Sequence, residues 1–419
     1  MLRLQCKVQN YAWGNPGSSS AVAQLAHAGG SAETIDEGKP YAEFWMGTTH
    51  PNGPSFVVGS GDGKSVALKD HLAANPHLVG EGDADSSDGS LPFLFKVLSV
   101  AKGLSIQAHP DKTLGAKLHA ARPDVYKDPN HKPEMACALT PFEAMCGFEA
   151  ASTIADNIDA TPELQAIVGK ESSALLRAAS DETSQKAALK TVFTSLMTHP
   201  KESVIAQANA LQQRLSKDTS GCDKDFLALR LCGQYPGDVG VFCPYFLCYR
   251  KLEIGQAVFL GANEPHAYLA GDCVEIMACS DNVVRAGCTP KLRDTDTLCE
   301  MLTYRQPAHS DPHLHPGNVL VPEKVDERTS IYTAPDRAVT EFQLECVSVP
   351  AGEAHDLSIS KFCSVILAVQ GECALTEGSA KTSIKRGDVF FQPAGSAGKV
   401  EASSDALCYR VTLRGATQK

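Results

Sequence analysis

The sequence predicts a mostly β fold with an α-helical insertion, on three observations. Short apolar runs broken by Gly, Pro and Asn fill residues 1–60 and return from about 239. Between them, residues 151–232 switch to helical spacing and are rich in Ala, Gln, Glu and Lys, with little Gly before Gly221. Finally, two distant β segments, 253–266 and 385–398, carry the same pattern.

The helical stretch is the plainest of these. Leu189, Val192, Phe193, Leu196 and Met197 share one helix face, as do Val204, Ala208, Leu211 and Leu215. Such stripes are core residues and imply no cofactor. Residues 79–90 (VGEGDADSSDGS) are acidic and Gly/Ser-rich, so they predict an exposed loop. Asp83, Asp85 and Ser87 have the spacing of a calcium loop. The sixth position, however, is Asp88 instead of Gly, and the twelfth is Leu94 instead of Glu. Gly63-Lys64-Ser65 ends like a phosphate-binding P-loop, but Val58 stands where its first Gly belongs. Both motifs are rejected.

Aligned on Gly255 and Gly387, the two β segments each read Gly, Gln or Asp, an apolar trio, then a Gly/Pro turn. A turn, a strand and a second turn fit the cupin jelly roll, so the fold expected is two cupin-like jelly-roll barrels plus a helical subdomain. The boundaries are 1–150 with 236–325 for the first barrel, 151–235 for the helices and 326–419 for the second barrel. His266 lies eleven residues after Gly255, whereas its counterpart is Gly398 and residues 385–410 hold no His. A metal in the first barrel would therefore have no equivalent in the second, which is expected to be metal-free.

The composition, 43% apolar and 21% charged, is that of a soluble globular chain. A net charge of -11 disfavours nucleic acid, whose phosphates need a basic surface. No apolar run approaches the ~20 residues of a membrane span. The chain opens without the apolar stretch of a signal peptide. The fifteen scattered cysteines include no C-x-x-C pair, so free thiols in a cytoplasmic protein are expected.

The residues suited to chemistry lie in three segments. In Ser105-Ile-Gln-Ala-His-Pro-Asp-Lys112, Gln107 and His109 are two apart, which on a strand puts both on one face. His131-Lys-Pro-Glu134 adds a carboxylate with Lys132 beside it, and Asn263-Glu-Pro-His266 a second imidazole. One Gln oxygen, one Glu oxygen and two imidazole nitrogens make an N/O set for a catalytic zinc that keeps a position open. Spacing alone leaves alternatives. His109-Pro110 also suits a turn, and His50, His119, His131, His309, His313 and His315 compete as ligands, the last three in a loop-like HSDPHLHPGN. The third segment, 271–291, places Glu275 and Met277 on one strand face, a Ser280-Asp281-Asn282 turn, and then Arg285 and Lys291. Interconverting an aldose and a ketose needs a base of tuned pKa and positive charge over two oxygens.

The stretches QNYAWG (9–14), EFWMGTTHPNGPS (43–55), PFLFKVLSVAKGLSIQAHPDK (92–112), DPNHKPEMACALTPFEAMCGF (128–148), YPGDVGVFCPYFL (235–247) and FLGANEPHAYLAGDCVEIMACSDNVVRAGCTPK (259–291) resemble the type I phosphomannose isomerases. The resemblance spans most of residues 1–305 and weakens over 151–232 and the C-terminal barrel. It implies one zinc per chain, bound by Gln107, His109, Glu134 and His266. It also implies interconversion of D-mannose 6-phosphate and D-fructose 6-phosphate, with Arg285 catalytic. Glu275 and Lys132 are further catalytic candidates. Ser105, Lys291, Tyr268 and Asp281 are implied to contact substrate, with Trp13 in the pocket wall. The expected partner is a small sugar phosphate, and the expected state a monomer. Two rivals remain. An Fe(II) oxygenase of the same fold would use two His and one carboxylate, which leaves Gln107 and the Lys/Arg cluster without a role. A non-catalytic sugar-binding bicupin gives no reason for Arg285, Lys291 and four ligands to coexist.

Overall fold

The computed structural model describes residues 1–48, 53–59, 65–80, 87–217, 220–307, 314–315 and 317–416. It is mostly β, with helices concentrated between Ala151 and Gln234. The apolar stripes read from the sequence fall on the helices Glu182–Thr198 and Lys201–Leu215, and every residue named in them is buried.

Strand alternation shows how the layers meet. In Glu134–Ala138, Met135 and Cys137 face a core shared with Val365, Leu367, Phe391 and Val411 of the C-terminal sheet. Ala136 and Ala138 face the other way, into a core with Phe142, Ala144 and Cys146. Phe93–Val100 divides likewise, with Phe93, Phe95 and Val97 on the first side and Leu98 and Val100 on the second. At the far side, Ile106, Ala108, Val284 and Ala286 pack with the helical insertion. The site is therefore enclosed between two sheets, one backed by the C-terminal half and the other by helices.

The strand His266–Ala278 joins those two sheets. Its first half pairs with Phe142–Phe148, and its second with Glu134–Ala138 and Phe93–Val100. Gly271 sits at the corner with φ 100°, where a Cβ would lie 2.3 Å from the Pro141 carbonyl oxygen. Only glycine tolerates both demands.

In the C-terminal part, the nine-stranded sheet faces a four-stranded one, and Ile366, Ala368, Phe390 and Cys408 meet Leu357, Leu375, Ile384 and Val400 between them. Leu2–Gln5 belongs here as well: it pairs with Val389–Gln392, far from it in sequence. Among the described residues the first jelly roll is one twelve-stranded sheet that branches at His266–Ala278, and the second is a facing pair of sheets.

The internal repeat survives in backbone detail. Gly255 and Gly387 have φ 82° and 88°, and each precedes a strand, Ala257–Leu260 or Val389–Gln392. His266 and Gly398 each open a later strand. Counting hydrogen-bonded pairs outward gives further equivalences. Leu260 pairs with Glu134 as Gln392 pairs with Ser364. Ala136 pairs with Glu275 as Ile366 pairs with Arg410. Glu275 pairs with Lys96 as Arg410 pairs with Glu345. Where the first jelly roll holds Glu134, Glu275 and Lys96, the second thus holds Ser364, Arg410 and Glu345. Its acid–base pair is reversed in sign and direction.

Candidate metal centre

His109, Glu134 and His266 converge on one point, and all three are buried. Glu134 Oε2 lies 3.4 Å from Nε2 of each histidine. Local structure explains the convergence. Asp111 caps the helix Lys112–Ala121 by accepting from Leu114 N at 2.8 Å, and its other carboxylate oxygen accepts from Asn263 Nδ2 at 2.9 Å. Asn263, at φ 62°, also donates its backbone N–H to the His109 carbonyl at 2.7 Å. The turn that starts the His266 strand is so tied to the segment carrying His109. Gln107 follows by register, with its Cα opposite both His266 and Arg285 on neighbouring strands.

The protonation pattern suits a metal. His109 Nδ1 lies 2.7 Å from the Asn282 carbonyl and His266 Nδ1 3.0 Å from the Glu264 carbonyl. A carbonyl only accepts, so each Nδ1 carries the proton and each Nε2 offers its lone pair. Both Nε2 atoms are buried without a hydrogen-bond partner, a costly arrangement unless something is bound there. Burial pushes the His109 pKa down to about 4, against the pull of Glu134. Burial works against the Glu134 carboxylate too, yet the adjoining imidazoles and Lys132, 3.4 Å away, hold its pKa well below the usual range. Two neutral imidazoles, a carboxylate and the Gln107 amide oxygen match zinc in charge and donor type. The competing histidines are otherwise engaged or not described. His119 Nδ1 donates to the Tyr126 carbonyl, and His131 pairs with Glu341 at 2.6 Å. His50, His309 and His313, residues 81–86 of the acidic loop and the side chain of His315 lie outside the described residues.

A cavity of ≈ 390 Å³ opens beside this cluster. Of the residues singled out in the sequence, Trp13, Ser105, Gln107, Lys132, Glu134, His266, Tyr268, Glu275, Arg285 and Lys291 line it. His109 does not line it and is fully buried. Asp281 is not brought in: it is exposed, and its backbone N–H donates to Asp128 at 2.8 Å. Arg285 is half-buried, and burial lowers its pKa. The Tyr268 hydroxyl is buried without a protein partner.

Among the cavity-wall residues that sequence reasoning missed are Lys96, Glu43 and Tyr11. Lys96 Nζ lies 3.2 Å from Glu43 and 3.2 Å from Glu275, and stands 5.3 Å over the Trp45 ring. Burial opposes its charge, but the surrounding carboxylates prevail and raise its pKa. Burial raises the pKa of Glu275, and Glu134 and Glu43 add to this while Lys96 resists. The signal was available: Lys96 is the only charged residue in Phe93–Val100, and a lysine inside an apolar strand is rarely buried unless paired.

Residues 1–151 match the family model for the catalytic domain of type I phosphomannose isomerase, and residues 165–247 its helical insertion domain. Mannose-6-phosphate isomerase 1 of Arabidopsis thaliana is 41% identical over 416 residues, 98% of this chain and 93% of that one. Human mannose-6-phosphate isomerase is 43% identical over 399 residues, 93% and 92% of the two chains. The Salmonella typhimurium mannose 6-phosphate isomerase, solved with fructose 6-phosphate and zinc, superposes with a TM-score of 0.81 at 29% identity, over 99% of both chains. Since both family domains match in succession and the identity extends over nearly the full length of these relatives, this chain belongs to the type I phosphomannose isomerase family.

Proposed function

We propose that the chain is a zinc-dependent aldose–ketose isomerase that interconverts D-mannose 6-phosphate and D-fructose 6-phosphate through an enediolate. The observation carrying this reading is the juxtaposition of two features. One is a His/Glu/His cluster whose imidazole Nε2 atoms have no hydrogen-bond partner, and the other is a cavity lined by Lys96, Lys132, Arg285 and Lys291. The relatives named above support it, as does the fructose 6-phosphate of the Salmonella structure.

One zinc per chain would be held by Gln107, His109, Glu134 and His266, where it would supply positive charge to polarise the substrate oxygens. Arg285, on the strand beside Gln107, places its guanidinium over the same oxygens and favours the enediolate over the neutral sugar. Glu275 carries the proton between C2 and C1. Burial and two neighbouring carboxylates make it more basic than a surface carboxylate, and Lys96 keeps it ionised. Lys132 sits at the Glu134 side of the cavity and holds charge balance there. Lys291 and Ser105 bind the phosphate at the mouth, Tyr268 offers a hydroxyl to the sugar, and Trp13, stacked on Tyr11, forms the apolar wall.

The domain division proposed is 1–150 with 236–325 as the catalytic jelly roll, 151–235 as the helical insertion and 326–419 as a metal-free second jelly roll. Leu2–Gln5 is exchanged into the last of these. The protein acts as a cytoplasmic monomer, consistent with fifteen free thiols. No helix among the described residues is long and apolar enough to cross a membrane. Its product mannose 6-phosphate feeds GDP-mannose synthesis and glycosylation.

Arg285→Ala tests the assignment of charge stabilisation. Turnover should fall roughly 10²–10³-fold, the range for removing one preorganised donor to a developing oxyanion, with zinc content near that of the unaltered protein. Zinc lost along with turnover would make Arg285 a scaffold of the metal site instead.

A further inference from the structure

The metal ligands come from separate segments, and one polar cluster outside the cavity fastens two of those segments together. Asn282 is fully buried. Its backbone carbonyl is the acceptor for His109 Nδ1 at 2.7 Å, the bond that turns the Nε2 lone pair towards Glu134. Its carboxamide donates to the Asp128 carbonyl at 2.6 Å and the Asn130 carbonyl at 2.9 Å. The Asp128 carboxylate in turn accepts from Ser280 Oγ at 2.8 Å, from Asp281 N at 2.8 Å and from Asn130 N at 2.9 Å. Residues 128–133 run directly into Glu134, and 280–282 run towards Arg285. Asp128 and Asn282 therefore lock the approach to the carboxylate ligand onto the turn that orients an imidazole ligand.

We propose that Asp128 and Asn282 are positioning residues of the metal centre: acting through the Asn282 carbonyl, they set the orientation of His109 relative to Glu134 and hence the affinity for zinc. This rests on the zinc reading given above. Neither residue touches the metal or the cavity. Outer partners of a histidine ligand fix its tautomer and ring plane, and their loss costs about 10–100-fold in metal affinity. Asn282→Ala leaves the carbonyl in place but removes the three side-chain bonds that hold it. Asp128→Ala releases the same turn from the other side.

The test is the zinc dissociation constant of the full-length chain, measured by competition with a chromophoric chelator on metal-stripped protein whose fold is checked by circular dichroism. Asp128→Ala and Asn282→Ala should each bind zinc about 10–100-fold more weakly. The double variant should be no weaker than the worse single one, because both act through one carbonyl. Asp128→Asn keeps an acceptor and should fall between; it is the variant to read if Ala at 128 does not fold. Asp294→Ala removes the cap of Thr295–Met301 and a bond to Tyr126. It should lower the melting temperature and leave zinc affinity alone, which separates positioning from general stability. Folded variants that bind zinc as tightly as the unaltered chain would overturn the proposal while sparing the zinc reading. An unaltered chain that takes up no zinc would remove both.

Discussion

Glu134→Gln is expected to strip the chain of zinc and of turnover together. Glu134 is the one anion in the cluster with His109 and His266, and its Oε2 is 3.4 Å from both imidazoles. The substitution preserves shape and one oxygen donor, so the loss reflects charge. A neutral amide leaves zinc's two positive charges uncompensated in a buried site, where charge is least screened by water. It also leaves Lys132 without the carboxylate 3.4 Å away. Zinc affinity should therefore fall by more than the ~10–100-fold that an outer partner commands. Equilibrium dialysis against buffered zinc measures this directly. A Glu134→Gln variant that still holds zinc at unaltered affinity would mean that the cluster is not the metal site.

Arg410→Ala should produce the largest loss of stability and no loss of chemistry. Arg410 and Glu345 are each 1% exposed and joined at 3.1 Å. Arg410 also donates to Ser364 Oγ at 2.9 Å and to the Ser358 carbonyl at 2.8 Å. Removing the guanidinium leaves Glu345 buried and uncompensated, which costs about 3–5 kcal/mol. Replacing both with apolar residues, Arg410→Met with Glu345→Leu, should recover most of that, because the desolvation of both ions disappears with them. Denaturation curves of the single and double variants check the pattern. Zinc affinity and turnover per folded molecule should match the unaltered chain, since the pair occupies the second jelly roll's counterpart of Glu275 and Lys96 and does not line the cavity. A single variant as stable as the unaltered chain would show that the ion pair is dispensable.

That correspondence bears on what a sequence reveals. The Gly255/Gly387 repeat was visible in the residues, and the missing histidine at 398 followed from it. The exchange of Glu275 and Lys96 for Arg410 and Glu345 was not visible, because it depends on which residues face each other across strands. Register is a long-range property, set by pairs such as Glu275 with Lys96 that lie far apart in the chain. Helices 182–198 and 201–215 were legible for the opposite reason: their stripes repeat within each segment. Leu2–Gln5 offered no local hint that its partner is Val389–Gln392.

The site divides the same way. Of the cluster that the structure brings together, His109 was reached by its spacing from Gln107, and Glu134 and His266 by donor type within short motifs. Lys96 and Glu43 escaped because each sits in an apolar run that reads as plain core. Their pairing with Glu275 emerges only when three strands lie side by side. Asp281 went the other way, since the resemblance implied a substrate contact, whereas it is exposed and does not line the cavity.

The central claim is that the metal cluster and the cationic cavity form one catalytic unit acting on a hexose 6-phosphate. A coupled assay tests it most directly: purified chain is given mannose 6-phosphate, and fructose 6-phosphate is followed before chelation, after it, and after zinc is returned. The account predicts turnover that vanishes on chelation and comes back with zinc. A folded, zinc-loaded chain that forms no fructose 6-phosphate would contradict it and favour a sugar-binding protein that has kept the site without the reaction.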